Sequence, residues 1–229
     1  LTSIFSQKFN DYEVIIINNG APNTFLSSLR EAHKNLMIIE NNINLGASKA
    51  RNQGIESSRG KYILFLDSDT KLEEGFLSGI LTDIKADISL AAVQPLVLRG
   101  DKKTVDSAGI HLSWLRRFYD IGSQDKKISK YARKKYVFGA CTAAAIYKRE
   151  ALEAIKQGDE YFDEDFFYLV EDVDLSWRLQ KKGWRTLNTP DAVCLHSGGR
   201  SRNKDKISQY LALRNRYLTW THLYGAVAT

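Results

Sequence analysis

Apolar residues along this chain come in short unbroken runs, separated by stretches where they recur at helical spacing. The run Val14-Ile15-Ile16-Ile17 is β-branched and stops at Asn18-Asn19-Gly20, a turn signal. A helix is predicted over 23–33, with Phe25, Leu26 and Leu29 on one face. Residues 36–40 read as a second strand. A helix follows over 46–57, stopped by Arg59-Gly60. Residues 61–66 form a third strand, 73–85 another helix and 90–98 another strand. Unbroken apolar runs mean strands buried on both faces. Strands alternating with helices predict an α/β fold with a mostly parallel central sheet flanked by helices. Ligands bind such sheets beyond the carboxyl ends of the strands, so the loops after Ile17, Glu40 and Leu66 are expected to share one crevice.

The second half is less regular. Residues 102–135 are polar, basic and poorly periodic, and read as a long excursion or flexible loop. Residues 136–147 are small and apolar, and 150–156 are helical. The acidic stretch 162–168 leads into a helix over 171–182 that Gly183 terminates. Residues 192–196 form a short strand. Residues 206–224 form a last helix, with Ile207, Tyr210, Leu211, Tyr217 and Leu218 toward one side. The expected organisation is one domain over 1–229, with a nucleotide-binding half over 1–100 and an acceptor-binding half over 101–229.

Composition narrows the class. The chain has 229 residues, 43% of them hydrophobic, which suffices for one well-buried domain. Disordered, collagenous and repeat architectures are excluded. The net charge of +6 is clustered. One group is Arg116, Arg117, Lys126, Lys127, Lys130, Arg133, Lys134 and Lys135; the other is Arg200, Arg202, Lys204, Lys206, Arg214 and Arg216. Clustered cations suit an anionic partner: a phosphate-bearing substrate, a nucleic acid or an anionic membrane surface. Cys141 and Cys194 lie far apart in apolar surroundings and read as small buried residues, in keeping with a reducing, cytoplasmic compartment. No apolar run reaches the roughly 18 residues of a membrane span, and no signal peptide is visible.

Four segments carry chemistry. Asp67-Ser68-Asp69 follows a strand directly, so both carboxylates can turn toward a divalent cation; hard oxygen ligands suit Mg2+ or Mn2+, which also take phosphate oxygens. The same triplet also occurs as a turn or helix cap. Glu171-Asp172-Val173-Asp174 opens a helix, where acids favour the dipole; alternatively Asp172 serves as a general base in a partly buried acidic cluster. His196 ends a short apolar strand before Ser197-Gly198-Gly199 and either is structural or completes a metal site. In the segment from Asn42 to Asn52, Gly46 allows a close backbone approach or a turn, and Arg51 offers a charged fork to a nucleotide or sits on a surface helix.

Taken together, the chain resembles the family 2 glycosyltransferases of GT-A fold, closest to bacterial rhamnosyltransferase-like members. The matching text is E-V-I-I-I-N-N-G (13–20), N-I-N-L-G-A-S-K-A-R-N-Q-G (42–54), G-K-Y-I-L-F-L-D-S-D-T (60–70), F-D-E-D-F-F-Y-L-V-E-D-V-D-L-S-W-R-L-Q-K-K-G-W (162–184) and A-V-C-L-H-S-G-G (192–199). Any one string is weak; five in order are specific. The resemblance implies an inverting, metal-dependent transfer of a sugar from a nucleotide-diphosphate donor to a polysaccharide, glycolipid or lipid-linked acceptor. It implies Asp67 and Asp69 with His196 as metal ligands, Asp172 as base and Arg51 near the nucleotide. Asn18, Asn19, Asn44, Gly46 and Ser68 fall in donor-site segments, and Gly139 with Ala140 in a segment facing the donor sugar. Glu171 and Trp177 are acceptor-side candidates. There are two departures. Asn18 stands where the family has an acid, which bears on base preference. The family's first strand is also absent: Leu1 to Phe9 resembles the helix after it, so the sheet is expected to lack a strand and expose edges.

Two rival readings stand beside this one. A sugar-nucleotide nucleotidyltransferase also uses magnesium carboxylates on a doubly wound sheet. A non-catalytic sugar- or anion-binding module fits the basic segments. Nucleic acid is disfavoured by the acids Asp163, Glu164, Asp165, Glu171, Asp172 and Asp174. The basic segments and last helix also suggest peripheral contact with an anionic membrane.

Overall fold

The computed structural model describes residues 1–22, 26–33, 35–115, 117–197 and 206–225. Phe25, Arg116, the pair Gly198-Gly199 and the cations Arg200, Arg202 and Lys204 lie outside the described residues. The elements in chain order are α1 (Thr2–Phe5), β1 (Val14–Asn19), α2 (Leu26–Ala32), β2 (Leu36–Asn41), α3 (Ala47–Ser57), β3 (Tyr62–Leu66), β4 (Thr70–Leu72), α4 (Phe76–Ala86) and β5 (Leu90–Arg99). They continue with β6 (Val105–Ser107), β7 (Ile110–Leu112), β8 (Phe118–Asp120), β9 (Lys135–Val137), β10 (Ala144–Lys148), α5 (Arg149–Glu153), α6 (Glu171–Lys181), β11 (Arg185–His196) and α7 (Lys206–Gly225).

The main sheet runs β3-β10-β5-β11-β4, with β6 on β5 and β9 on β11. It is mixed, not mostly parallel as expected. Within it β5 and β11 are parallel, whereas β10 runs antiparallel to both β3 and β5, and β4 and β9 antiparallel to β11. The sequence hid this because the antiparallel members are short: β4 and β9 have three residues each. The centre is β5, whose nine residues from Leu90 to Leu98 are all buried. Helices cover both faces. On one, Ile55 of α3, Leu152 of α5 and Leu175 and Leu179 of α6 pack on Ile63, Phe65 and Tyr147. On the other, Phe76, Leu77, Ile80 and Ile84 of α4 pack on Val93, Val97, Ile146 and Cys194. Alternate residues of β3 serve opposite faces, the two-residue period of a strand.

β1 and β2 form a separate parallel pair with a small core of Leu26, Leu36, Ile38, Val14 and Ile16. Among the described residues β1 pairs only with β2, and β3 only with β10, so each has one edge without a strand partner.

Three further expectations need correction. Residues 102–135 are not a structureless excursion: β6, the β7–β8 hairpin and a 3-10 turn at Ile128–Tyr131 order them around Val105, Ala108, Leu96 and Leu98. Part of their charge is internally paired, Lys130 with Asp125 at 2.8 Å and Lys134 with Asp83 and with Asp191. β11 has twelve residues, starting seven before the predicted strand. Its first half is polar and contains Pro190, yet Thr186, Asn188 and Thr189 are buried and pair with β5 up to a register shift between Thr189 and Val193. In α7 the predicted apolar side is only partly turned inward. Leu211 is buried, with Ser208, Asn215 and Thr219, and Leu218 is half-buried, whereas Ile207, Tyr210 and Tyr217 are exposed.

Candidate active site

β3 delivers Asp67 to the rim of the main sheet, where its N–H donates to the Ala143 carbonyl at 2.8 Å. The chain then turns tightly. Thr70 N–H and Oγ1–H both donate to the Asp67 carbonyl, at 3.1 and 2.7 Å. This turn folds β4 back along β11 and sets Thr70 opposite His196. The Ser197 N–H closes the corner on the Asp69 carbonyl at 3.0 Å. Asp67, Asp69 and His196, 129 residues apart at the widest, thereby offer ligand atoms that all lie within 4.8 Å of one another. Ser68, between the acids, is exposed. His196 Nε2 is 3.1 Å from Asp69 Oδ1.

The imidazole is held from behind. Its Nδ1 lies 2.7 Å from Asp106 Oδ2, and Asp106 Oδ1 faces Arg99 Nε at 3.4 Å. A carboxylate only accepts, so both ring nitrogens donate here, Nδ1 to Asp106 and Nε2 to Asp69, and the two acids raise the His196 pKa; a cation bound at Nε2 would take the place of that hydrogen and leave Nδ1–H on Asp106. Asp106 sits on β6, inside the stretch read as an excursion. A lone acid in a polar segment gave no local signal, and only the β5–β6 pairing brings it to His196.

Arg51, on α3, does not reach out as a free fork. Its guanidinium bonds Glu171, approaches Asp67 at 3.5 Å and lies over the Phe162 ring at 5.6 Å. It therefore ties the start of α6 to the metal-ligand candidates. Glu171 is buried on this pair and has its second oxygen, Oε2, without a hydrogen-bond partner. Beside it, the Asp172 carboxyl is pushed up to about 8, first by burial, then by the charges of Glu171 and Asp120, with Arg51 opposing. Desolvation also raises Asp67, against Arg51 and His196. Asp120, on β8, was not singled out from sequence either.

The segment that presents Glu171 and Asp172 is strained. Phe167, Leu169 and Val170 have φ of 62°, 69° and 74°, a region that non-glycine residues rarely occupy. Asn215 of α7, fully buried, holds them: its Nδ2 donates to the carbonyls of Phe166, Tyr168 and Leu169 at 2.8, 2.9 and 2.6 Å. Arg214 adds bonds to the carbonyls of Asp165 and Phe166, and the Tyr168 and Ser208 hydroxyls bond each other. A signal for these braces existed: polar Asn215 and Thr219 continue the stripe of apolar Leu211 at four-residue spacing.

The remaining candidates make these contacts within the fold. Asn18 closes its own turn, donating to and accepting from Ala21 at 3.1 Å. Asn19 knits the loop after β2, donating to Asn44 Oδ1 and the Gly46 carbonyl and accepting from Asn41 and the Leu45 N–H. Gly46 (φ 86°) lets Phe167 approach; a Cβ there would lie 2.5 Å from the Phe167 carbonyl oxygen. At Gly139 a Cβ would collide with the Ser176 side chain, so the absence of one lets α6 sit against this strand end. Ala140 is buried and its carbonyl accepts from the Tyr147 hydroxyl at 3.2 Å. Trp177 is half-buried, edge-on to Phe138. Both cysteines are free, their thiols pushed up by burial, Cys194 to about 12.

Comparison with known proteins agrees with this layout. Two solved structures share the fold. One is described as GalNAc-T7 with UDP, GalNAc and Mn2+ (TM-score 0.68, 13% identity, 85% of this chain and 39% of that one). The other is the mannosyltransferase PcManGT from Pyrobaculum calidifontis with GDP-Man and Mn2+ (TM-score 0.66, 18% identity, 96% and 59%). Among curated proteins, the poly-beta-1,6-N-acetyl-D-glucosamine synthases of Staphylococcus epidermidis and Staphylococcus aureus (strain COL) are 26% and 25% identical over 203 residues, 85% of this chain. The chain spans about half the length of these relatives, 45%. The family model described as Glycosyl transferase family 2 matches residues 1–156. The nucleotidyltransferase and binding-module readings give way to this match: the chain belongs to the family 2 glycosyltransferases.

Proposed function

We propose that the chain is a single glycosyltransferase domain that moves a sugar from a nucleotide-diphosphate donor to a saccharide or lipid-linked hydroxyl, with inversion. The observation that carries this reading is the convergence of Asp67, Asp69 and His196 at one strand end. Carboxylate oxygens with one imidazole nitrogen are a fitting donor set for Mn2+ or Mg2+. A cation held there supplies Lewis-acid neutralisation of the diphosphate.

The chain's own residues do the rest. Asp172 takes the acceptor hydroxyl proton on its carboxylate as the acceptor oxygen bonds to the anomeric carbon. The bond from that carbon to the diphosphate oxygen breaks, and its electron pair leaves with the diphosphate. Burial places the Asp172 carboxyl where it can trade protons near neutral pH, the condition for an effective base. Arg51 balances the acids on both sides of the crevice. The solved structures of similar fold carry UDP and GDP-Man, and the curated relatives make a polymer of N-acetylglucosamine. The rhamnosyltransferase-like sequence resemblance points to a different sugar, so the donor is to be read by titration of UDP, dTDP and GDP with Mn2+. Metal-dependent binding of one of them supports the reading; binding of none overturns it.

A further inference from the structure

α7 carries large apolar side chains on its outer side as well as its inner one. Its inner side buries Leu211 with the polar residues Ser208, Asn215 and Thr219, whereas Ile207 (67% exposed), Tyr210, Leu213, Tyr217 and Trp220 face outward. The outward residues are contiguous: Tyr210, Leu213 and Tyr217 border one groove of about 320 Å³, and the Tyr217 and Trp220 rings are 5.7 Å apart. The β7–β8 hairpin extends this surface. Arg216 of α7 lies over the Phe118 ring at 5.5 Å, and the hairpin tip carries Trp114, 89% exposed, and Leu115. A soluble surface rarely leaves so many large apolar side chains together without an interaction to make.

The charge around this face narrows the partner. α7 contains no Asp or Glu, and Lys206, Arg216 and Arg117 of the hairpin are exposed cations. Aromatic rings with cationic neighbours suit the headgroup boundary of an anionic bilayer, where rings bury their edges and long cations reach the phosphates. A second copy fits less well, because a two-fold contact would bring like cations together across the axis. A spanning role is excluded among the described residues, since no helix is long and apolar enough to cross a membrane.

We propose that the outer face of α7 and the Trp114–Leu115 hairpin tip dock the protein on an anionic lipid surface. The same helix braces the strained segment before Glu171 and Asp172 through Asn215, so docking holds the acceptor side of the crevice at the membrane. This favours the lipid-linked acceptors of the glycosyltransferase reading, but the docking itself is read from α7 and the hairpin alone.

The test is flotation with phosphatidylcholine vesicles, with and without phosphatidylglycerol, at low and high salt. Wild type is expected to float only with the anionic vesicles, and to be released by salt. Leu213→Ser/Tyr217→Ser/Trp220→Ser is expected to stay at the bottom of the gradient, and each of Lys206→Gln and Arg216→Gln to weaken partition about fivefold. All five positions are exposed, and thermal melting and nucleotide titration of each variant check that the fold persists. No flotation of wild type at low salt, or unchanged flotation of the triple variant, overturns the proposal. So does an α7-dependent dimer in sedimentation, which assigns the face to a second copy. Flotation without nucleotide binding sinks the glycosyltransferase reading alone; nucleotide binding without flotation sinks this one alone.

Discussion

Asp106 Oδ2 lies 2.7 Å from His196 Nδ1, on the side of the imidazole opposite Asp69. The pair fixes which ring nitrogen is free for a cation. Partners of this kind typically govern metal affinity by about 10–100-fold. Asp106→Ala is therefore expected to weaken Mn2+-dependent nucleotide binding by about that factor, measured by calorimetry. Asp106→Asn, whose amide oxygen still accepts from Nδ1–H, should recover most of the affinity. Equal loss in both variants would contradict a positioning role.

Asp172 predicts opposite effects on rate and on stability. A base must be ionised, so transfer by wild type should rise with pH through the range around 8. Asp172→Asn should lower kcat by roughly 10²–10⁴-fold. The folded-state pKa lies above the unfolded value, so the folded protein binds the extra proton. Its contribution to stability is complete below the unfolded pKa and is lost as pH rises through about 8. Asp172→Asn should therefore melt higher than wild type at pH 9, by roughly 2–4 °C, the shift that about 1 kcal/mol gives at this size. Normal transfer by the variant would remove Asp172 from the mechanism.

Asn215 tests whether the strained approach to α6 matters for chemistry. Replacing it with Leu leaves the Tyr168 and Leu169 carbonyls without their donor and the Phe166 carbonyl with Arg214 alone, at a cost of about 1–3 kcal/mol for buried groups. Single-turnover rates should fall more than nucleotide affinity does, because the displaced residues are Glu171 and Asp172 and not the metal ligands. A variant that loses stability but keeps the full rate would make Asn215 purely structural.

Gly139 separates packing from donor contact. Gly139→Ala should destabilise by about 1–3 kcal/mol, the usual cost of overpacking, because its Cβ meets Ser176. Ser176→Gly added to it should restore part of that loss in a double-mutant cycle. If thermal melting of Gly139→Ala is unchanged while donor binding is lost, the residue faces the sugar instead.

The chain's local patterns carried much of the layout. The run Ile15–Ile17, the strand before Asp67 and the helix opening at Glu171 were legible because each is one unbroken period. The first half of β11 was not: it is polar, holds a proline, and becomes a strand because β5 supplies hydrogen-bond partners along it. The same holds for the site. Asp67, Asp69, Asp172 and His196 stood at strand or helix ends and could be named. Asp106, Asp120 and Asn215 act through partners far away in sequence, which no local spacing encodes. Arg51 was legible as a functional cation, but its fork is already taken by Glu171 and Asp67.

The most direct test of the central claim is calorimetric titration of UDP, dTDP and GDP into the protein, each with and without Mn2+, repeated with Asp69→Ala. The account predicts metal-dependent binding of one nucleotide, lost in Asp69→Ala. Binding that needs no metal, or that survives in the variant, would contradict a cation held by Asp67, Asp69 and His196.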